Sequence, residues 1–127
     1  MQEKHLFEYA VIRVMPRVER EEFINVGIVL YCAKQKFLKS IFFLDVDRIS
    51  AFSPGLDIAE IEENLMAFER ISLGASGSGT IGSYDNASRF RWLTATRSTI
   101  VQCSKVHPGL CVDAEETLLK LHQQLVL

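Results

Sequence analysis

The sequence has no stretch of about 20 apolar residues, the length that a membrane-spanning helix needs. Its first residues, MQEKHLFEYAVIRV, mix acidic and basic side chains and contain no apolar core followed by a small-residue cleavage site. These absences argue against a membrane protein and against a secretory leader. We therefore expect a protein that is neither exported nor inserted in a membrane, and that is located in the cytoplasm.

Cysteine is scarce, with three residues at Cys32, Cys103 and Cys111. An odd number of cysteines beside apolar runs does not suit a disulfide framework, so we predict free, buried thiols. Cys103, His107 and Cys111 are evenly spaced, and with Cys32 they could in principle supply zinc ligands. Structural zinc sites usually draw their ligands from short, close pairs, and the sequence has no CxxC or HxxxH pair. We therefore predict no metal site.

The sequence also lacks a strong net charge and the short motifs of common catalytic sites. A net charge of -2 gives no overall attraction to nucleic acid or anionic lipid. The glycines of residues 74–82 do not form the GxGxxG pattern or the P-loop pattern of nucleotide-binding loops. Cys103 and Ser98 are candidate nucleophiles with His107 as a base, but no nucleophile elbow accompanies them. We predict no catalytic residue and no cofactor.

What the sequence does contain is a globular composition, with 48% hydrophobic and 24% charged residues. A length of 127 residues suffices to bury the core of a single domain, residues 1–127. Runs rich in Val, Ile, Phe and Tyr predict four strands, at residues 7–15, 26–32, 37–44 and 98–103. The second and third strands are separated by a loop of hairpin length and should pair antiparallel. The first strand is apolar on both faces and should be central in the sheet.

Helical periodicity predicts two main helices, at residues 57–73 and 115–126, for which Asp57 and Asp113 suit the N-cap position. A glycine-rich segment at residues 75–86 predicts a long loop, either a lid or binding loop or a surface insertion. A short helix should follow at residues 87–94. The expected fold class is α+β, a small, mostly antiparallel sheet of about four strands packed with two main helices.

Arginine is unevenly distributed, since six of the eight arginines fall in two short windows. The first window holds Arg13, Arg17 and Arg20, and the second holds Arg89, Arg91 and Arg97. If the sheet brings the windows together, their guanidinium groups could bind a phosphate, a carboxylate or a nucleic-acid backbone. The alternative is that Glu19, Glu21 and Glu22 neutralise them in a surface network of salt bridges.

Two parts of these windows have a further interpretation. Arg13 lies inside an apolar strand, where a buried charge needs a partner; Glu19 or Asp113 could be that partner, or Arg13 could recognise an anion. The segment RFRWLTATRST alternates arginines with Phe90 and Trp92, a pairing found in single-strand nucleic-acid sites. Core spacing makes packing the favoured role for both aromatic residues, so we consider nucleic-acid binding unlikely.

The segments PRVEREEFINVGIVLY, at residues 16–31, and RFRWLTATRSTI with SKVHPGLC, within residues 89–111, resemble a bacterial family known as domain of unknown function 3037. Its shared features are an arginine-bearing strand, a charged connection, an N-V-G start to the next strand, an R-F-R-W-L segment and a His-Pro-Gly turn. Here they correspond to Arg13, Arg17, Glu19, Glu21, Phe23, Asn25, Val26, Gly27, Arg89 through Leu93, His107, Pro108 and Gly109. The resemblance implies a small bacterial protein with an accessory role beside a protein partner, such as a kinase similar to the HipA family. It implies no activity, catalytic residue or cofactor.

The leading functional hypothesis is a noncatalytic binding or accessory module that uses an arginine- and glutamate-rich surface to engage a protein partner. The candidate contact residues are Arg13, Arg17, Glu19, Arg20, Asn25, Arg89, Arg91, Trp92, Arg97 and His107. The alternative is a small enzyme or binder acting on a phosphorylated or nucleotide ligand, with arginines holding the anion and Glu19 or Glu21 as base. An apolar sheet edge could also support a homo-oligomer.

Overall fold

The computed structural model describes residues 3–95, 97 and 99–127. The strands are β1 His5–Val14, β2 Ile24–Cys32, β3 Phe37–Phe42, β4 Val101–Cys103 and β5 His107–Cys111. The helices are α1 Val46–Phe52, α2 Ile58–Leu73, α3 Gly79–Gly82, α4 Asn86–Thr94 and α5 Ala114–Leu125, with a 3₁₀ turn at Val18–Arg20. The chain therefore has the expected α+β architecture, with one more strand and more helices than the sequence pattern predicted.

Strand β1 is the centre of an antiparallel sheet, as its two apolar faces predicted. It pairs with β2, and β2 pairs with β3 on its far side. The other edge of β1 is shared by β4 and β5, which pair with its last and first residues respectively. Ser104 lies between these two short strands; its N–H donates to the carbonyl of Val11, and its hydroxyl accepts from the Val11 N–H. A side chain thus completes the hydrogen bonding of β1 where the edge is interrupted.

Strand β5 occupies a segment for which the sequence predicted a turn, because Pro108 and Gly109 usually punctuate strands. Both residues are compatible with this position. Proline lacks an N–H and is tolerated in edge strands. Gly109 pairs with Phe7, and a Cβ on Gly109 would come within 2.5 Å of the Phe7 ring. The aromatic ring therefore fills the space that a side chain on Gly109 would occupy.

A β-bulge in β2 decides which side chains face which core. Ile12 pairs with Gly27 but Arg13 pairs with Asn25, so Val26 is an extra residue in β2. Because of this extra residue, the side chains that face one side of the sheet change from even-numbered to odd-numbered positions of β2. Ile24 before the bulge and Val29 after it therefore pack in the same core. The first core, against α2 and α4, includes Ala10, Ile12, Ile24, Val26, Val29, Leu65, Phe68 and Phe90. The second core, against α5, includes Phe7, Val11, Ile28, Leu30, Cys111 and Leu118.

The two main helices were predicted correctly, because capping and periodicity agree. The Asp57 carboxylate accepts the Glu60 N–H at the start of α2, and Gly74 ends the helix in a left-handed conformation at φ 65°. The Asp113 carboxylate accepts two backbone N–H groups at the start of α5. Helix α1 was missed since Ile49 is its one buried residue, which leaves almost no periodic signal. Helix α3 lies inside the segment that was predicted to be a loop.

None of the helices in the described part of the chain is both long enough and apolar enough to cross a membrane.

His122 lies on the buried face of α5, one turn before the end of the helix, with 6% of its surface exposed. Burial lowers the pKa of His122 below its ordinary value because it disfavours the charged imidazolium. The unfolded chain therefore binds more protons than the folded chain as the pH falls through about 6.5. The stabilising contribution of neutral His122 is complete above that pH and is lost as the pH falls toward the folded-state pKa.

We expect His122→Leu to reduce the loss of stability on acidification, because leucine has no proton to take up. The free energy of unfolding, from urea titrations between pH about 7.5 and 5, should fall less steeply with pH in the variant than in the wild type. Equal slopes in both proteins would show that protonation of His122 does not contribute.

Candidate functional site

Exposed Trp92 and partly buried Arg97 form a pair at the end of α4. The guanidinium carbon of Arg97 lies 4.2 Å from the centroid of the Trp92 ring. The guanidinium also donates to the carbonyls of Trp92 and Leu93, in the last turn of the helix. Trp92 remains 39% exposed. Arg97 therefore has a fixed position against an aromatic surface that is open to solvent.

A groove runs along α2 and leads to this pair. It consists of two adjoining cavities of about 250 and about 320 Å³, and Asn64 and Thr99 line both of them. The first is also lined by Ala67, Phe68, Ile71, Trp92, Arg97 and Val101. The second is also lined by Val18, Leu56, Asp57, Glu60, Ile61 and Ile100. From Asp57 to Ile71 the helix covers about 21 Å, at ~1.5 Å per residue. We call this feature the α2 groove.

Arg13 and Asn25 are side by side on the face of the sheet that packs against α5. The Arg13 guanidinium carbon lies 3.9 Å from the centroid of the Phe23 ring, so an aromatic face, and not Glu19 or Asp113, is its neighbour. The Asn25 Nδ2 donates to the Leu125 carbonyl at 3.1 Å. Among the described residues, neither Arg13 Nε nor Asn25 Oδ1 has a hydrogen-bond partner, although both atoms are buried. A donor and an acceptor at paired positions are thus left unused.

The connection between β1 and β2 contains two of the ion pairs that the salt-bridge alternative predicted, both in the first arginine window. Arg17 Nε lies 2.8 Å from a carboxylate oxygen of Glu19, and Arg20 contacts Glu22 in the same way. Hydrogen bonding lowers the pKa of Glu19, first from the backbone and then from Arg17. A general base at neutral pH needs a shift in the opposite direction, so the geometry does not favour Glu19 in that role.

Arg89 lies at the other end of α2, where its guanidinium links three segments. It donates to the carbonyls of Tyr84 and Ser72 and to the side chain of Asn86. Gly74 lies directly against it, since a Cβ there would be 3.2 Å from the guanidinium carbon. Arg89 is therefore engaged within the fold, whereas Arg91, on the same helix, is exposed to solvent.

The two arginine windows meet the α2 groove at different ends. Val18, between Arg17 and Glu19, lines one cavity of the groove, and Trp92 and Arg97 line the other. In the residues that the structure describes, the arginines of the two windows share no hydrogen-bond or ion-pair partner. His107 is remote from the groove, at the start of β5, where its ring lies 5.4 Å from the ring of Tyr9.

The cysteines have the properties of core residues. Cys32 and Cys111 are buried on the α5 side of the sheet, and Cys103 packs against the core on the other side. Burial raises the pKa of Cys103 to about 12, so its thiol stays protonated at neutral pH and is a poor nucleophile. Residues 3–95, 97 and 99–127 contain no group of three or more His, Cys, Asp or Glu side chains placed to hold a metal ion.

The comparison with protein families identifies the chain. The family model described as "Protein of unknown function (DUF3037)" matches residues 9–126. The chain belongs to the DUF3037 family. Neither the curated proteins nor the solved structures gave a match. The family resemblance seen in the sequence is thereby confirmed, and the match runs from within β1 to the end of α5 and includes the residues of the α2 groove.

Several residues that shape the sites of this DUF3037 protein were missed by sequence reasoning. Phe23 was part of the family pattern, but its contact with Arg13 depends on the bulge in β2. Asn64, on α2, lines both cavities of the groove and was not among the candidate residues. Asp45 and Arg48 were missed together with α1; the aspartate directly before Val46 could have indicated the N-cap.

Proposed function

We propose that this DUF3037 protein is a noncatalytic binding module that engages a protein partner through the α2 groove. The observation that carries the proposal is the exposed Trp92 ring with Arg97 stacked on it at one end of an apolar groove. Tryptophan and arginine are the residue types that most often dominate binding energy at protein interfaces, especially where the surrounding surface is apolar. We infer that the protein acts in the reducing cytoplasm, where its thiols stay free.

The dimensions of the groove favour a segment of a protein over a small molecule. A length of about 21 Å would accommodate roughly six residues of extended chain, at ~3.4 Å per residue, or about four turns of a helix. The floor, with Phe68, Ile71 and Val101, would bury apolar side chains of the partner.

Charge along the groove supports one orientation of the partner segment. Asp57 and Glu60 line the end near the N-terminus of α2, and Arg97 lines the other end. A segment with a basic residue at one end, an acidic residue at the other and apolar residues between them would be complementary. Arg17, Glu19 and Arg20 flank Val18 at the acidic end, and Arg91 is exposed beyond Trp92, so these residues are proposed rim contacts.

We expect Trp92→Ala and Arg97→Glu each to weaken partner binding by about 2 kcal/mol, or roughly 30-fold in Kd. The partner is first recovered by affinity capture from the source cells and identified by mass spectrometry, with a kinase similar to the HipA family as the first candidate that the resemblance suggests. Binding of the purified partner is then measured by titration calorimetry.

Tyr84→Ala is the matched control for this experiment, because Tyr84 is an aromatic residue of similar exposure, 44%, outside the groove. It should leave the Kd unchanged. If Trp92→Ala and Arg97→Glu bind the partner as tightly as Tyr84→Ala does, while all three proteins melt cooperatively, the groove is not the interface.

A second candidate function is binding of a phosphorylated or nucleotide ligand. It is favoured by a cavity of about 300 Å³ that Arg17 and Arg20 line together with Phe52 and Ser53. An anion in this cavity would have to compete with Glu19 and Glu22 for the two guanidinium groups. A rise in melting temperature with phosphate esters or nucleotides that Arg17→Gln and Arg20→Gln abolish would support this function over the first.

A further inference from the structure

We propose that β5 is the contact surface of a homodimer, in which the β5 strands of two copies of the chain pair antiparallel about a two-fold axis at Leu110. One side of β5 pairs with β1, and in the described part of the chain no strand pairs with its other side. This open edge shares no lining residue with the α2 groove. The homodimer therefore does not depend on the function proposed for the groove.

The side of β5 that faces solvent is apolar, where a solvated sheet face is normally polar. Leu110 pairs with Leu6 of β1, and these two residues are 65% and 60% exposed. Pro108 is exposed on the same face, and Val106 and Val112, directly before and after β5, are 37% and 40% exposed. Five exposed apolar residues thus lie at one edge of the sheet, and a contiguous patch of this kind is typical of an interaction surface.

The backbone groups of β5 that point away from β1 follow from the strand register. The N–H and carbonyl of Val11 face the edge of β1 on which β5 lies, because both are bonded to Ser104. This direction alternates along an antiparallel ladder, so the odd-numbered residues of β5 bond to β1, whereas Pro108 and Leu110 present their backbone groups to solvent. The Val112 N–H points the same way. Pro108 offers only its carbonyl, since proline lacks an N–H.

Pairing centred on Leu110 uses all of these groups. The Leu110 N–H and carbonyl of each copy bond to those of the other copy, and each Pro108 carbonyl accepts the Val112 N–H of the other copy. Opposite the proline nitrogen lies the Val112 carbonyl, which already accepts Gln35 Nε2 at 2.6 Å and needs no second donor. Pairing of Pro108 with Leu110 would instead leave the Leu110 carbonyl without a donor. The proline thus selects a self-complementary register.

The charges at the two ends of β5 are also complementary to those of a second copy. Antiparallel pairing places the start of one β5 beside the end of the other. Lys105 lies before β5, Asp113 and Glu116 lie after it, and all three residues are exposed. Each end of the paired strands therefore brings a basic residue of one copy toward acidic residues of the other. A second copy of this chain matches the edge in hydrogen bonding, apolar surface and charge.

The test is the molar mass of the full chain in solution, measured by analytical ultracentrifugation between about 1 and about 500 µM protein. We expect the mass to rise with concentration from that of the 14.4 kDa monomer toward twice that value. A monomer at every concentration would overturn the proposal and leave the open edge to a strand of another protein.

Two substitutions at Leu110 locate the contact. Because Leu110 lies opposite the same residue of the second copy, Leu110→Lys and Leu110→Glu each oppose like charges and should each weaken dimerisation at least roughly tenfold. Leu119→Lys is the matched control, since Leu119 is 49% exposed on α5, outside β5, and it should dimerise like the wild type. Cooperative melting of each variant checks that the fold is intact.

An equimolar mixture of the Leu110→Lys and Leu110→Glu proteins should associate again, because opposite charges then meet at the two-fold axis. This recovery would not follow from a structural defect in either variant. Dimerisation that both Leu110 variants leave unchanged would place the contact elsewhere and overturn the proposal. So would a mixture that associates no better than either variant alone.

Discussion

Gly27→Ala is expected to lower the free energy of unfolding by about 3 kcal/mol, as insertion of a methyl group into a closely packed site does. A Cβ on Gly27 would lie 2.6 Å from the Ile41 carbonyl oxygen of β3 and 3.0 Å from the Phe42 Cβ. The backbone of β3 cannot move away without breaking its pairing with β2. The loss should appear as a lower midpoint in urea titrations of the purified variant.

Gly55→Ala separates this steric effect from the conformational effect of losing a glycine. Gly55 has φ 89°, but no heavy atom beyond Gly55 and its two chain neighbours lies within 4 Å of the position of its missing Cβ. Its substitution should therefore cost only the backbone strain, about 1 kcal/mol. If Gly27→Ala is no more destabilising than Gly55→Ala, β2 and β3 have room that the structure does not show.

Arg89→Ala should destabilise the protein by about 2 kcal/mol, whereas Arg91→Ala on the same helix should change the stability by less than about 0.5 kcal/mol. Removing the Arg89 guanidinium leaves the Tyr84 and Ser72 carbonyls without their donor and opens space against Gly74. Arg91 is exposed and lies on the solvent side of α4. Thermal and urea unfolding of the two variants provide the measurement.

Arg89→Lys refines the comparison, because lysine keeps the charge but cannot present a planar fork to two carbonyls and the Asn86 side chain. It should recover less than half of the lost stability. Equal stability of Arg89→Ala and Arg91→Ala would mean that Arg89 is a surface residue, and it would return to the set of candidate partner contacts.

The sequence pattern predicted the elements whose signals are local. Helix α2 has a capping aspartate, helical periodicity and a terminal glycine within 18 residues, and these signals coincide with its observed limits. The hairpin of β2 and β3 has the predicted antiparallel pairing. Strand β5 was not predicted, because Pro108 and Gly109 are turn residues by propensity and are accommodated here only by β1 and the ring of Phe7.

The candidate site was predicted less completely than the fold. The sequence indicated which arginines are unusual, but not what each of them contacts. Arg17 and Arg89 both lie in the arginine windows, yet one forms an exposed ion pair and the other donates to the carbonyls of Tyr84 and Ser72. The α2 groove depends on residues about 80 positions apart, Val18 and Thr99, which come together only in the folded chain.

By itself, the sequence determined the fold class, the central position of β1 and the two main helices, because hydrophobic periodicity and capping act over a few neighbouring residues. The family was indicated separately, by the resemblance of the motifs in residues 16–31 and 89–111. Only the tertiary structure decided the bulge at Val26, the interrupted edge at Ser104, and the separation of the arginines into ion-paired, partly buried and groove-lining groups. The reason is that a guanidinium group has several comparably favourable partners, carboxylates, carbonyls and aromatic rings. Which of them it meets depends on the register of strands and the packing of helices across the whole chain.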